Sequence, residues 1–244
     1  MEYPLSRHKK KPVRKPKQYE PHQPKHASKQ QSGFKFEFLN SAQRDAWAKF
    51  DQHDVLFLIG PAGCGKTQLA CAFAIGEILS GKSKKIILTR PIVESGESLG
   101  FLPGSFEDKV NPYMMPMYDC IERCIGKESP ERDIISKSIE IAPIAYCRGR
   151  TFNESICIFD EAQNATMTQV KLFMTRFGKN SKMIITGDPD QSDIRGGNET
   201  LTRIASSMEK IGKIGVVRFK PCSIVRHPLI AEILLKFEDI EKRT

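Results

Sequence analysis

The sequence predicts an α/β fold, a parallel sheet covered by helices on both faces. Three observations predict it. From Val55 onward, short apolar runs alternate with segments of helical period. One of those runs, Val55-Leu56-Phe57-Leu58-Ile59, feeds directly into Gly60-Pro61-Ala62-Gly63-Cys64-Gly65-Lys66-Thr67, which spells G-x-x-x-x-G-K-T. Another, Ile156 to Phe159, ends in two adjacent acids, Asp160 and Glu161. Strands buried on both faces read as continuous apolar runs, and their alternation with helices is the pattern of crossover connections in a parallel sheet.

In chain order, residues 1–32 hold nine Lys and Arg against two acids. That stretch carries seven of the net nine positive charges, five prolines and almost no aliphatic residues. It cannot bury enough apolar surface to offset its chain entropy, so a disordered basic N-terminal tail is expected. A basic arm of this kind suits the phosphate backbone of a nucleic acid. Residues 33–244 form the folded domain. Phe34 to Leu39 alternates like a strand or extended segment. A helix follows, with Ser41 as its expected cap and Gln43, Ala46, Trp47 and Phe50 on one face. Gln43 is polar on that inward face and so requires a partner.

Strands are expected at Val55–Ile59, Lys85–Thr89, Ile139–Ile144, Ser155–Phe159, Lys182–Thr186 and Gly215–Phe219. The helix from Thr67 to Ser80 is apolar nearly all round, which predicts burial against the sheet. Val170, Phe173, Met174 and Phe177 recur at helical spacing, as do Ile230, Ile233, Leu234 and Phe237. Residues 104–137, with Pro112, Pro116 and Pro130, read as an insertion of broken helices. No apolar stretch reaches membrane-spanning length, and the N-terminus lacks the apolar core of a secretion signal. The seven cysteines are odd in number and have no zinc-like spacing. Free thiols and a cytoplasmic location are expected.

The octamer Gly60, Pro61, Ala62, Gly63, Cys64, Gly65, Lys66, Thr67 carries a mechanism. Its glycines let the backbone turn N–H groups inward on phosphate oxygens. Lys66 supplies a point charge for the β- and γ-phosphates, and the Thr67 hydroxyl ligates Mg²⁺. The fold class is therefore that of a P-loop NTPase. Asp160, at the end of a neighbouring parallel strand, is placed to hold the Mg²⁺ through water, and Glu161 to polarise a water for attack on the γ-phosphate. A third strand end, Thr186-Gly187-Asp188-Pro189-Asp190-Gln191, places Gln191 to sense the γ-phosphate by hydrogen bonding.

Together with Leu88 to Pro91, Leu99 to Gly104, Arg148 to Thr151, Asp160 to Asn164 and Val225 to Leu229, these motifs give a chain that resembles the PhoH family of ATPases. The fold of that family is similar to the first motor domain of superfamily-one helicases, a single RecA-like unit. The resemblance covers roughly residues 36 to 240. It implies ATP and Mg²⁺ as ligands, hydrolysis of ATP, action on nucleic acid with single-stranded RNA favoured, and a homo-oligomeric ring. It also implies that Asn40 and Gln43 correspond to the helicase motif that reads adenine. Ser192 to Gly197, with Arg195, departs from the more apolar turn usual in the family, and the basic arm lies outside the family pattern.

Helicases of this type close ATP between two motor domains. About fifty residues follow Gly187, too few for a second one by ordinary domain sizes. The site is thus expected to be completed by another subunit, with Arg226 as the finger reaching the γ-phosphate in trans. Arg90 is a candidate contact to an RNA backbone, and Arg148 and Arg150 to an interface or the γ-phosphate. Phe101, in a loop bounded by Gly and Pro, could stack a base. Two further readings remain at this point. One is a binding module that ATP merely switches. The other is a nucleoside-kinase-type phosphotransferase like the thymidine kinases, whose zinc-binding Cys-x-x-Cys pair is missing here.

Overall fold

The computed structural model describes Phe34, residues 36–92, 106–194 and 197–220, and the isolated positions Ile233 and Lys236. The basic tail, Phe101, Arg195, Arg226 and nearly all of the final helix expected at Ile230 to Phe237 lie outside the described residues.

Six parallel strands form one sheet: β1 (Val55–Ile59), β2 (Lys85–Thr89), β3 (Ile139–Ile141), β4 (Ser155–Phe159), β5 (Lys182–Gly187) and β6 (Ile214–Arg218), in the spatial order β3-β2-β4-β5-β1-β6. The helices are α1 (Ser41–Gln52), α2 (Lys66–Leu79), α3 (Phe106–Ile125), α4 (Arg132–Ser138), α5 (Met167–Met174) and α6 (Gly197–Met208). Side chains alternate across each strand, and the two faces build two cores. Leu56, Leu58, Ile86, Leu88, Ile156, Ile158 and Ile184 face Phe50, Leu69, Phe73 and Met117 of α1, α2 and α3. Phe57, Ile59, Ile87, Cys157, Phe159 and Ile185 face Phe173 of α5 and Leu201 and Ile204 of α6. Both sides of the sheet are thus covered, which is why α2 is buried from Leu69 through Ile75 without a polar stripe.

Local chemistry explains most boundaries. Asn40, not Ser41, caps α1: its Oδ1 accepts from Gln43 N–H at 2.9 Å, and Ser41 is already the first helical residue. Phe36 and Phe38 form no strand; their rings meet edge to face at 5.3 Å, with Phe38 5.8 Å from Trp47. β3 stops at Ile141, three residues short of expectation. Pro143 has no N–H to continue the ladder, whose last bond is Ala142 N–H to Leu88 at 2.9 Å. Thr166 and Gln169 close a capping box on α5, which ends at Met174. Phe177 is therefore off the helix and bridges Phe152 instead. β6 lies one residue earlier than Gly215–Phe219, and β5 runs one residue longer than expected, to Gly187.

The largest departure is α3. The expected broken helices are one helix of 20 residues that runs through Pro112 and Pro116. Each proline removes one ladder bond, at a cost of about 3 kcal/mol in an isolated helix interior. Val110, Met114, Met117, Cys120 and Ile121 recur at helical spacing and are all buried, with α3 laid on α2. Full burial of such side chains contributes roughly 1.5–3 kcal/mol each, so packing outweighs the two lost bonds. Both prolines sit on the exposed side. No helix among the described residues is long and apolar enough to cross a membrane.

Candidate active site

Because the strands are parallel, their carboxyl ends share one edge of the sheet. Strand order then sets four loops in a row: those after β2, β4, β5 and β1. These carry Arg90, Asp160-Glu161, Asp188 to Gln191, and the phosphate loop.

The phosphate loop turns on Gly63 (φ 84°) and Gly65 (φ 83°), a backbone region that side chains rarely enter. Gly65 is the cap residue of α2, so the positive end of that helix opens into the loop. Lys66 Nζ donates to the carbonyls of Gly60 at 2.6 Å and Pro61 at 2.9 Å, which holds the ammonium over the loop. Cys64 is buried, and its thiol donates to Pro61 O at 3.0 Å. Burial pushes that thiol up from its ordinary range, and the Lys66 charge offsets part of the shift. Gln43 finds the partners its position required: Oε1 accepts from Leu39 N–H at 2.8 Å, and Nε2 donates to Cys64 O at 3.3 Å. Gln43 is buried and braces the loop, while Asn40 is occupied as the helix cap.

Asp160 is 1% exposed at the end of β4. Its Oδ1 accepts from Thr67 Oγ1 at 2.8 Å and from the Thr186 hydroxyl. Burial raises its carboxyl above the ordinary range, with a further push from Glu161; the Thr186 hydroxyl, Arg90 and the Thr67 hydroxyl pull the other way. One buried carboxylate beside a threonine hydroxyl is a hard-oxygen set. It suits Mg²⁺, which is commonly held by one or two carboxylates and completes its shell with phosphate oxygens and water. Thr67 and Asp160 would hold that ion.

Glu161 follows in the left-handed region at φ 54°, a conformation that costs a non-glycine residue about 1–3 kcal/mol and often marks a functional position. Its side chain is 33% exposed and lies between two neighbours. Arg90 Nη2 is 3.8 Å from Oε1, and Gln163 Nε2 donates to Oε2 at 2.6 Å. Arg90 also approaches Asp160 Oδ2 at 3.9 Å and donates to Tyr113 O at 3.4 Å. Arg90 therefore stands among the acids, with α3 behind it, rather than out on a free surface.

Gln163, inside the Asp160 to Asn164 motif, carries no chemistry that its spacing predicts, yet it is the hub of the rim. It is 1% exposed. Besides Glu161, its Nε2 reaches Gln191 O at 3.4 Å, and its Oε1 accepts from Asp188 N–H at 3.0 Å. The signal that could have found it is its place three residues after Asp160, where a buried amide can span two loops. Gly187 is required here: a Cβ would lie 2.4 Å from Leu201 Cδ2 and 2.9 Å from Gln163 Oε1. Asp188 is buried against the phosphate loop, and burial raises its carboxyl while the Lys66 charge lowers it. A cavity of about 380 Å³ brings together Ala62, Gly63, Gly65, Lys66, Thr67, Glu161 and Gln191. Leu39, Gln68, Cys120, Arg123 and Asp188 also line it, none of which the sequence singled out for the site.

Two of the expected site residues lie elsewhere. Arg150 is ion-paired with Glu140 and sits 5.0 Å over the Phe152 ring, and Arg148 is exposed on the same connection. Neither lines the phosphate-loop cavity. Six cysteines among the described residues are free thiols, as expected.

The strand order, the glycine loop at the start of α2 and the acid pair beside it define a protein of the P-loop NTPase fold class. Within that class the chain belongs to the PhoH-like protein family, whose profile matches residues 35–238. It is 47% identical over 197 residues to a PhoH-like protein of Bacillus subtilis, covering 80% of this chain and 62% of the relative. It is 43% identical over 185 residues to a PhoH-like protein of Mycobacterium tuberculosis (75% and 53% covered), and 39% identical over 199 residues to Protein PhoH of Escherichia coli K12 (80% and 56%). The chain thus spans between half and two thirds of the length of these relatives. Among solved structures it is similar to the Saccharomyces cerevisiae Hsp104–ADP complex, at 17% identity and a TM-score of 0.31, over 82% of this chain and 34% of that one. Pif1 helicase from Candida albicans matches at 12% identity and a TM-score of 0.34, over 75% and 40%. Both likenesses are too distant to carry an argument about this chain.

Proposed function

We propose that this protein binds Mg·ATP and hydrolyses it, and that hydrolysis is coupled to binding or remodelling single-stranded nucleic acid, with RNA favoured. The observation that carries the reading is the convergence of Lys66, Thr67, Asp160, Glu161 and Gln191 on one strand edge and, for all but the buried Asp160, around one cavity. In this reading the loop amides and Lys66 hold the phosphates, and Thr67 with Asp160 keeps the ion in place. Mg²⁺, when bound, neutralises charge on the phosphate oxygens. Glu161 accepts a proton from the attacking water, oriented by Gln163 on one side and Arg90 on the other. Gln191 reports the γ-phosphate, and Gln163 passes that report to Glu161, since one amide touches both. Nucleic acid is supported by the helicase-like motif order and by the basic arm at residues 1–32. Glu161 remains one-third exposed, so the rim faces outward, where a second subunit bringing Arg226 would cover it. A homo-oligomer, ring-shaped by family resemblance, is part of the same proposal.

The test is phosphate release by the purified chain with and without single-stranded RNA, set beside Glu161→Gln. The expected result is stimulation by RNA and a loss of about 10²–10⁴-fold in the variant, the usual contribution of a positioned general base, with ATP still bound. Hydrolysis indifferent to any nucleic acid would leave an ATP-switched module as the better account. Unchanged hydrolysis in the variant would remove Glu161 from the chemistry.

A further inference from the structure

Two cavities meet at the phosphate-loop rim, and each has an arginine in its wall. The larger, about 510 Å³, is lined by Arg90 together with Asp190, Ser192 and Asp193. The smaller is the phosphate-loop cavity, whose wall includes Arg123. They share Glu161 and Gln191, which marks the end of the phosphate-loop cavity where the γ-phosphate would react. Arg123 belongs only to the smaller one.

We propose that Arg123 binds the nucleotide from within the same chain, on the α-phosphate side of the site. The inference rests on the nucleotide reading above and adds a residue and a direction to it. Four observations support it. Arg123 is exposed and lines the phosphate-loop cavity together with Leu39, Gln68 and Cys120, and it does not line the neighbouring cavity that holds Arg90. Its turn of α3 is fastened to the first turn of α2, because the Cys124 thiol donates to Gln68 O at 3.7 Å. Its guanidinium is held at its own helix by a hydrogen bond from Nη2 to Cys120 Sγ at 3.2 Å. It takes part in none of the ion pairs found among the described residues, and the nearby Asp119 acts on it without pairing.

Direction follows from the chemistry of the two ends. The acids Glu161 and Asp188 repel phosphate oxygens except where Lys66 and Mg²⁺ neutralise them, and Glu161 must meet the terminal phosphate. A triphosphate laid across the loop therefore carries its α-phosphate and ribose toward Gln68 and Leu39. That is where an additional cation is wanted and where α3 delivers one. Guanidinium suits the task, since it pairs with two phosphate oxygens at once. The insertion thus does more than cover α2: it supplies a cation to the α-phosphate end from within one subunit, while the rim at Glu161 stays open to a second.

The experiment is calorimetric titration of the full chain with Mg·ADP and Mg·ATP, for wild type, Arg123→Ala, Arg123→Lys and Lys66→Ala. ADP has no γ-phosphate and so does not report the acid end. Arg123→Ala is expected to weaken ADP and ATP alike by about tenfold, the size of one charge-assisted hydrogen bond. Arg123→Lys should recover part of that loss, since it keeps the charge but not the paired donors. An unchanged Kd for ADP in Arg123→Ala overturns the proposal. So does a loss confined to ATP, which would place the residue at the γ-phosphate. If wild type takes up neither nucleotide, the nucleotide reading itself falls. If wild type binds, Lys66→Ala weakens binding and Arg123→Ala does not, only the present inference falls.

Discussion

The phosphate loop and the α3 segment line the same cavity, and they are built by opposite rules. In the loop, backbone does the work. Glycines hold left-handed geometry, Lys66 folds onto its own carbonyls, and Gln43 braces the turn from behind. Few side chains there stabilise anything by burial. In α3, burial does the work. A stripe of apolar residues packs on α2 and carries two prolines that would break the helix alone. The contrast teaches that chemistry and stability are separable at this site. Substitutions in the loop should change activity with little change in stability, and substitutions in α3 should do the reverse.

The sharpest break between the two regions is expected from Lys66→Ala. Among the described residues its ammonium is bonded only to loop carbonyls and the nearby Cys64 sulfur, so the fold should survive its removal. Hydrolysis should fall by about 10²–10³-fold, the usual cost of removing one preorganised charge from a transition state, while the thermal midpoint moves by less than about 2 °C. A large drop in midpoint would show that the loop is a structural element after all. Next in size is Met117→Ala. Met117 is fully buried between α3 and α2. Truncation should cost about 3 kcal/mol in denaturant unfolding, with ADP affinity within about threefold of wild type. A loss of affinity matching the loss of stability would couple the regions that we separate here. The smallest expected effect is Pro116→Ala. The proline is exposed, and alanine restores a helical N–H without losing buried area. A gain of about 1–2 kcal/mol is expected, roughly 3–6 °C in midpoint. A loss would mean that the ring of Pro116 has a packing role.

The same contrast explains what could be read from sequence. Most strand boundaries were legible to within a residue, because apolar runs such as Val55 to Ile59 are bounded by turn chemistry on both sides. β3 was overextended since Ile144 is apolar, although Pro143 already forbade the ladder there. α3 was misjudged because proline is a local signal and burial is not. At the candidate site, the motifs put Lys66, Thr67, Asp160, Glu161 and Gln191 at strand ends, and the structure brings those strand ends to one edge of the sheet. Gln163 stood in such a motif unnoticed. Arg123 had no motif at all; it reaches the cavity only because Cys120, Cys124 and Met117 dock its helix on α2. Arg90 was expected to face a nucleic-acid backbone, and its proximity to Asp160 and Glu161 could not be known before β2 was placed beside β4.

By itself the sequence determined where the glycine-rich turn and the strand-end acids fall, because loop curvature and strand ends are properties of a few consecutive residues. Tertiary structure alone decided that β1, β5, β4 and β2 lie side by side, so that four distant loops share one edge, and that a helix with two prolines brings Cys120 and Arg123 into the cavity lining. The physical reason is range. Turn and capping chemistry act over a handful of bonds, whereas strand order and helix docking are settled by burying apolar faces that meet only after the chain has folded.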